Sequence, residues 1–212
     1  MAAELHYDVL IVGAGNAALT AALAAIEQGA KVGVLEKAPK LDRGGNSMFT
    51  GHMRFPYNSV EDLAALIRNP SADDLKRIGE TLPQVTEAEL WDQIMAVTEN
   101  KSDQEMLEVH VSESYNTVKW LVSKGHHWVP NFGPRAQFIA SMHGGGQGLQ
   151  DRNFSFIERD GGTVHYETSA SELLQDDTGA VIGVLELTPQ GFINIYARSV
   201  VLACGGFEGN PE

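Results

Sequence analysis

Tyr7-Asp8-Val9-Leu10-Ile11-Val12-Gly13-Ala14-Gly15-Asn16-Ala17-Ala18 is the stretch whose reading decides the fold. Its first six residues are a short, β-rich run that ends on glycine, the pattern of a strand buried in a parallel sheet. Asn16 to Gln28 continues as an alanine-rich helix, and Gly29 stands where a left-handed residue closes a helix. Lys31 to Glu36 returns as a second apolar strand. Strand, glycine turn, helix and strand make one βαβ unit, and a parallel sheet follows from it.

The turn has its own chemistry. In Gly13-x-Gly15-x-x-Ala18 the first glycine makes the turn, the second lets a pyrophosphate approach backbone N–H groups, and Ala18 is small enough for the helix to pack on the strand. The helix N-terminus adds unpaired N–H groups and a dipole that favour an anion. Glu36, at the end of the second strand, is placed to accept hydrogen bonds from ribose hydroxyls and to disfavour a 2′-phosphate. A glycine triplet alone has a structural reading as a tight turn. Triplet, flanking elements and terminal acid together predict a dinucleotide site.

Outward from this unit, Ala38 to Asn58 is rich in glycine, proline and polar residues and is expected as a long loop on the carboxyl edge of the sheet. Within it Arg43-Gly44-Gly45-Asn46-Ser47 offers flexible backbone and short polar side chains to a pyrophosphate or ring edge. Ser59 to Lys124 reads as helices, with capping boxes expected at Thr86…Glu89 and Ser102…Glu105. Gly144-Gly145-Gly146-Gln147-Gly148 opens another helix through Ile157, and Thr163 to Glu167 returns to the sheet. Ser169 to Leu174, Ala180 to Leu187 and Phe192 to Ala197 form an antiparallel meander, and Ser199 to Ala203 a separate final strand. The expected fold is α/β: a Rossmann-like domain over residues 1–212 with a parallel central sheet, a β-meander at about 169–197 and a helical insertion at about 59–125.

Composition narrows the partners. The formal net charge of −13 argues against a phosphate-backbone partner, because nucleic-acid binders present a basic face. Cys204 is the one cysteine, so no disulfide framework or cysteine metal cluster is expected, and a cytoplasmic, reducing compartment fits best. Val9 to Val12 is far too short to span a bilayer. His126-His127 and His143 lack carboxylates at ligand spacing, so no metal is expected; His143 and His52 read as loop histidines. Trp91, Trp120 and Trp128 read as packing residues. A nicotinamide domain would continue with further βαβ units, whereas this chain continues with a glycine loop and a helical insertion.

The chain resembles the flavoprotein subunits of the fumarate reductase and succinate dehydrogenase superfamily, through Gly13-Ala14-Gly15, Glu36, Gly44-Gly45-Asn46-Ser47, Gly144-Gly145-Gly146 and Ala203-Cys204-Gly205-Gly206-Phe207 in that order. Gly13-Ala14-Gly15-Asn16-Ala17-Ala18 with Arg43-Gly44-Gly45-Asn46-Ser47 is most similar to the tricarballylate dehydrogenase group. The resemblance implies FAD, with contacts from Asn46 and Ser47 to pyrophosphate and flavin. It also implies backbone hydrogen bonds to adenine along Thr168 to Ser171, Ser169 and Ala170 among them, and a second glycine turn at Ala203, Gly205 and Gly206. Ala17, Lys37, Thr50 and Gly51 complete the implied contacts. Covalent members attach FAD through a histidine in the loop held here by Gly45-Asn46-Ser47, so dissociable FAD is expected. Thr50-Gly51-His52-Met53 departs from the paired glycine of many relatives.

By the same resemblance the activity is oxidation or reduction of a small carboxylic acid by hydride transfer through flavin N5, with an electron-transfer partner. Relatives continue past Phe207 into a capping domain and a C-terminal flavin-binding stretch, and the chain ends at Pro211-Glu212. Most of the family's catalytic groups lie in that region, so Arg54, Arg135 and Arg152 receive no catalytic role. Two other readings stand beside this one: a non-catalytic FAD-binding module, and an NAD-dependent Rossmann dehydrogenase.

Overall fold

The computed structural model describes residues 5–81, 84–130 and 140–206. They fall into two compact units, residues 51–149 forming one and the flanking segments the other.

The flanking unit carries the main sheet. Among the described residues its six strands are β1 (Leu5–Val12), β2 (Val32–Leu35), β5 (Thr163–His165), β6 (Ser169–Gln175), β7 (Val181–Thr188) and β8 (Gly191–Leu202), in the order β5-β2-β1-β8-β7-β6. β5, β2, β1 and β8 run parallel, and β8, β7 and β6 are joined antiparallel. The expected parallel sheet and meander are thus both present.

One expectation needs correcting. Phe192 to Ala197 and Ser199 to Ala203 are not two strands but one, β8, which pairs with β7 through Gly191–Tyr196 and with β1 through Ile195–Leu202. Arg198 looks like a break in an apolar pattern. On the sheet it is exposed and lies 3.5 Å from the Asp8 carboxylate, and nothing in its backbone requires the strand to stop.

Helix α1 (Asn16–Glu27) packs against β1 and β2 and buries Ala18, Leu19, Ala22 and Leu23. It ends in a Schellman arrangement, with Gly29 N–H donating to Ile26 O and Ala30 N–H to Ala25 O. The meander shares a core cluster with the parallel strands: Val184, Ile195 and Ala170 cluster with Tyr7, Leu10, Val12 and Leu35.

That packing also buries a carboxyl. The two-residue period of β7 that turns Val184 inward turns Glu186 inward as well, to 1% exposure, and Glu186 Oε2 has no hydrogen-bond partner. Burial pushes its pKa up to about 7. A carboxyl whose folded value is raised binds its proton more tightly in the folded state. The contribution of Glu186 to stability is therefore greatest at acid pH and is lost as pH rises from the ordinary glutamate value through about 7. Glu186→Gln should leave stability near wild type at pH 5 and raise it by roughly 2 kcal/mol at pH 8. Denaturant melts at the two pH values check this; equal effects at both would contradict it.

The other unit is mainly helical: α2 (Val60–Ala64), α3 (Ala72–Thr81), α4 (Glu87–Val97) and α5 (Gln104–Ser123), with a hairpin of β3 (Trp128–Pro130) and β4 (Ala140–Met142). Its core gathers Phe55, Leu63, Leu66, Ile78, Leu121 and Trp128, with a smaller cluster of Leu90, Leu107 and Val111 between α4 and α5. Trp128 is fully buried, and Trp91 and Trp120 pack at the edges of these clusters.

The capping box at Thr86 and Glu89 is present. At α5 the cap is Asp103, whose carboxylate accepts from Met106 N–H, and the Ser102 hydroxyl instead bonds Thr98 Oγ1. A carboxylate accepts the orphan N–H of a helix start as readily as a hydroxyl does, and here the Ser102 hydroxyl is taken up by Thr98. Helix α6 (Gly145–Arg159) runs from this unit into the flanking one.

Candidate functional site

The site is built in the flanking unit, at the carboxyl ends of β1, β2 and β8. β1 delivers the chain into Gly13, whose N–H donates to Leu35 O, while Ala203 N–H donates to Val12 O. The two glycine turns meet there. A Cβ on Gly13 would stand 2.5 Å from Ala203 O and 2.8 Å from Cys204 Cα, and Gly13 has a φ of +100°. Gly13 is a glycine because the protein itself fills the space.

Gly15 differs. It caps α1 with an extended backbone (φ −77°, ψ −176°), and a Cβ there would meet Ser47 Oγ at 3.5 Å and Gly44 O at 4.0 Å, ordinary contacts. The protein's own packing does not require glycine at this position. The open space above it lies at a helix N-terminus that has no side-chain cap from Gly15. Ser47 Oγ takes one first-turn amide, accepting from Asn16 N–H at 2.9 Å. The amides of Ala17 and Ala18 follow on the same turn, where helices leave N–H groups without internal partners. Asn16 Oδ1 is buried and has no hydrogen-bond partner. A helix start whose further first-turn amides lack internal partners, and a glycine that the protein's own packing does not require, suit an anionic ligand such as a dinucleotide pyrophosphate.

Glu36 is buried at the end of β2. Its N–H donates to His165 O, its carbonyl accepts from Thr168 N–H, and its Oε1 accepts from Ala38 N–H at 2.8 Å. The carboxylate is fixed by its own loop before any ligand arrives. Thr168 is buried and leads directly into Ser169 and Ala170, the first residues of β6. Glu36 and the 168–170 segment are therefore neighbours. Lys37 is exposed beside them.

The glycine loop carries a 3₁₀ turn, Gly45–Phe49, inside the stretch expected to be irregular. Gly44 precedes it with φ +100°, and a Cβ there would stand 2.7 Å from Met48 Cγ. Gly45 and Asn46 are exposed, and Thr50 ends this part of the unit. Gly205 and Gly206 are exposed after β8; Phe207 lies outside the described residues.

The structure thus gathers Gly13, Gly15, Asn16, Ala17, Ala18, Gly44, Ser47 and Ala203 round one turn. Glu36 joins Ser169 and Ala170 at the next strand. Gly51, His52, His143 and Gly144, Gly145 and Gly146 belong to the other unit. There His127 and His143 face each other with ring centroids 4.4 Å apart, and Arg54 bonds Gln93. Arg135 lies outside the described residues. Among the described residues no three His, Cys, Asp or Glu side chains converge as metal ligands, and no helix is long and apolar enough to cross a membrane.

Sequence reading missed the ties that hold this loop. Arg43 bonds Tyr166 and Asp151, and Ser47 bonds the start of α1. No local pattern marks either tie.

Residues 8–212 match the FAD binding domain family. The chain is 27% identical over 214 residues to the fumarate reductase (cytochrome) of Shewanella frigidimarina, covering 97% of this chain and 34% of that protein. It is 30% identical over 218 residues to the urocanate reductase of Eggerthella lenta, covering 97% and 32%. Among solved structures, the open conformation of a flavocytochrome c3 fumarate reductase matches with a TM-score of 0.74 at 25% identity, over 97% of this chain and 35% of that one. The chain spans about a third of the length of these relatives. The family match favours FAD over the nicotinamide alternative.

Proposed function

The chain belongs to the FAD binding domain family, and from that premise we propose that it is the cofactor-holding part of a flavin-dependent oxidoreductase that oxidises or reduces small carboxylic acids. Gly15 carries the reading: its missing side chain serves no packing need of the protein and leaves room at a helix N-terminus.

The first turn of α1, with Gly15, Asn16, Ala17 and Ala18, would hold the pyrophosphate through backbone N–H groups. Glu36 would accept from the ribose hydroxyls, with its carboxylate already oriented by Ala38 N–H. Ser169 and Ala170 would offer backbone to the adenine. Gly44, Gly45, Asn46 and Ser47, together with Thr50, Ala203, Gly205 and Gly206, would line the pyrophosphate and flavin, and Lys37 would flank the ribose end. When bound, FAD supplies two-electron hydride transfer at a carbon–carbon bond. The chain's own share is to bind, orient and keep the cofactor away from bulk water.

The loop Gly45-Asn46-Ser47 contains no histidine, which supports non-covalent FAD. The names of the fumarate and urocanate reductases support a small carboxylic acid as substrate and a separate electron donor or acceptor. The finer likeness to tricarballylate dehydrogenases rests on Arg43-Gly44-Gly45-Asn46-Ser47 and the Gly13–Ala18 run. Cytoplasmic residence rests on the single cysteine.

Anaerobic reoxidation tests the substrate class. The whole FAD-loaded protein, reduced photochemically, should be reoxidised faster by an unsaturated dicarboxylate such as fumarate than by buffer alone, and by equal rates the carboxylate reading fails. Glu36→Ala should raise the Kd for FAD about 10- to 100-fold, the effect of one or two lost charge-assisted hydrogen bonds. Titration by quenching of flavin fluorescence measures it; an unaltered Kd would place Glu36 off the ribose.

A further inference from the structure

Arg43 stands immediately before Gly44, where an arginine invites reading as a direct contact to the pyrophosphate. Its surroundings give it another task. The side chain is only 16% exposed. Nη1 donates to Tyr166 Oη at 2.9 Å, Nη2 donates to Asp151 Oδ1 at 3.2 Å, and the guanidinium lies 4.2 Å from the centroid of the Phe154 ring. Asp151 and Phe154 are three residues apart on α6 and so share a face. Tyr166 follows β5 in the segment that bonds Glu36 and Ala38 through Thr168 and Glu167.

One side chain therefore ties the glycine loop to α6 and to the segment beside Glu36. Little slack remains between Arg43 and the cradle. Gly44 is hemmed in by Met48 and Gln150 at a φ of +100°, and Ser47 then reaches Asn16 N–H.

We propose that Arg43 is a positioning residue for FAD: it holds the glycine loop so that Ser47 meets the start of α1 and the space over Gly15 stays open, without touching the phosphates itself. The inference rests on the FAD reading above. Its fork and ring contacts are specific to guanidinium, since an ammonium cannot bond both Tyr166 and Asp151 from a place over the Phe154 ring.

Asp151→Asn separates this role from direct phosphate binding by sign. The Asp151 side chain is half exposed, so the change is tolerated by the fold. A positioning arginine loses an anchor, and FAD binding weakens. A phosphate-binding arginine is freed, and FAD binding tightens.

Fluorescence titration of the full chain with FAD should show Kd raised about 3- to 10-fold in Asp151→Asn and about 10- to 100-fold in Arg43→Met, with Arg43→Lys close to Arg43→Met. The slope of log Kd against log salt should match wild type in Arg43→Met, because no charge–phosphate contact is lost. Tighter binding in Asp151→Asn, a shallower salt slope in Arg43→Met, or a lowered apo melting temperature with unchanged Kd would each overturn the proposal. Wild-type chain that takes up no FAD would overturn the FAD reading itself, and this inference with it.

Discussion

Gly15→Val abolishes measurable FAD binding, with Kd raised at least about a hundredfold, while the apo chain keeps its fold and loses only about 1 kcal/mol as a poorer helix cap. The two halves of this expectation have different causes. The backbone at Gly15 is extended with negative φ, which any residue adopts, and the nearest atoms a Cβ would meet are Ser47 Oγ at 3.5 Å and Gly44 O at 4.0 Å. The Cβ itself displaces nothing. The branched side chain instead fills the space at the helix N-terminus and keeps a pyrophosphate from the amides of Ala17 and Ala18. Fluorescence titration with FAD and a denaturant melt of the apo chain measure the two halves. A variant that binds FAD like wild type would remove Gly15 from the site.

Gly13→Ala has the opposite profile, a folding defect of roughly 3 kcal/mol or more that appears before any cofactor is added. The atoms in the way are Ala203 O at 2.5 Å and Cys204 Cα at 2.8 Å, both backbone, so no side chain can swing aside. The φ of +100° adds strain for any residue with a Cβ. Relief requires β1 and β8 to part at their carboxyl ends, where Ala203 N–H bonds Val12 O. The midpoint of urea unfolding should fall clearly in this variant and little in Gly15→Val. Equal midpoints would mean that the two turns do not meet as described.

The motif already gives these glycines different tasks, a turn and a close approach; what it does not show is that the backbone of Ala203 and Cys204 stands against Gly13. What is legible is local. Gly13-x-Gly15-x-x-Ala18, the apolar run before it and Glu36 after it predict a βαβ unit, because neighbours in sequence decide a turn, a helix start and a strand end. The period of β7 predicts a strand, but the same period carries Glu186 into the core, and a charged residue reads as solvent-facing until its burial is seen. Arg198 misleads in the other direction. It suggests the end of a strand that continues through it. Asp103 takes the cap expected of Ser102 because adjacent residues compete for the cap position, and only geometry shows which holds it. Arg43 is legible as part of a glycine loop, but its partners lie 108 and 123 residues away. No pattern of spacing announces a tie that only the fold brings together.

The central claim is that this chain builds a site for dissociable FAD. The most direct measurement is the visible absorption spectrum of the purified chain, taken before and after addition of FAD and repeated on the flavin released by denaturant. Flavin bands on the protein, released as free FAD, are the expected result; a colourless chain that takes up no FAD when it is added would contradict the claim.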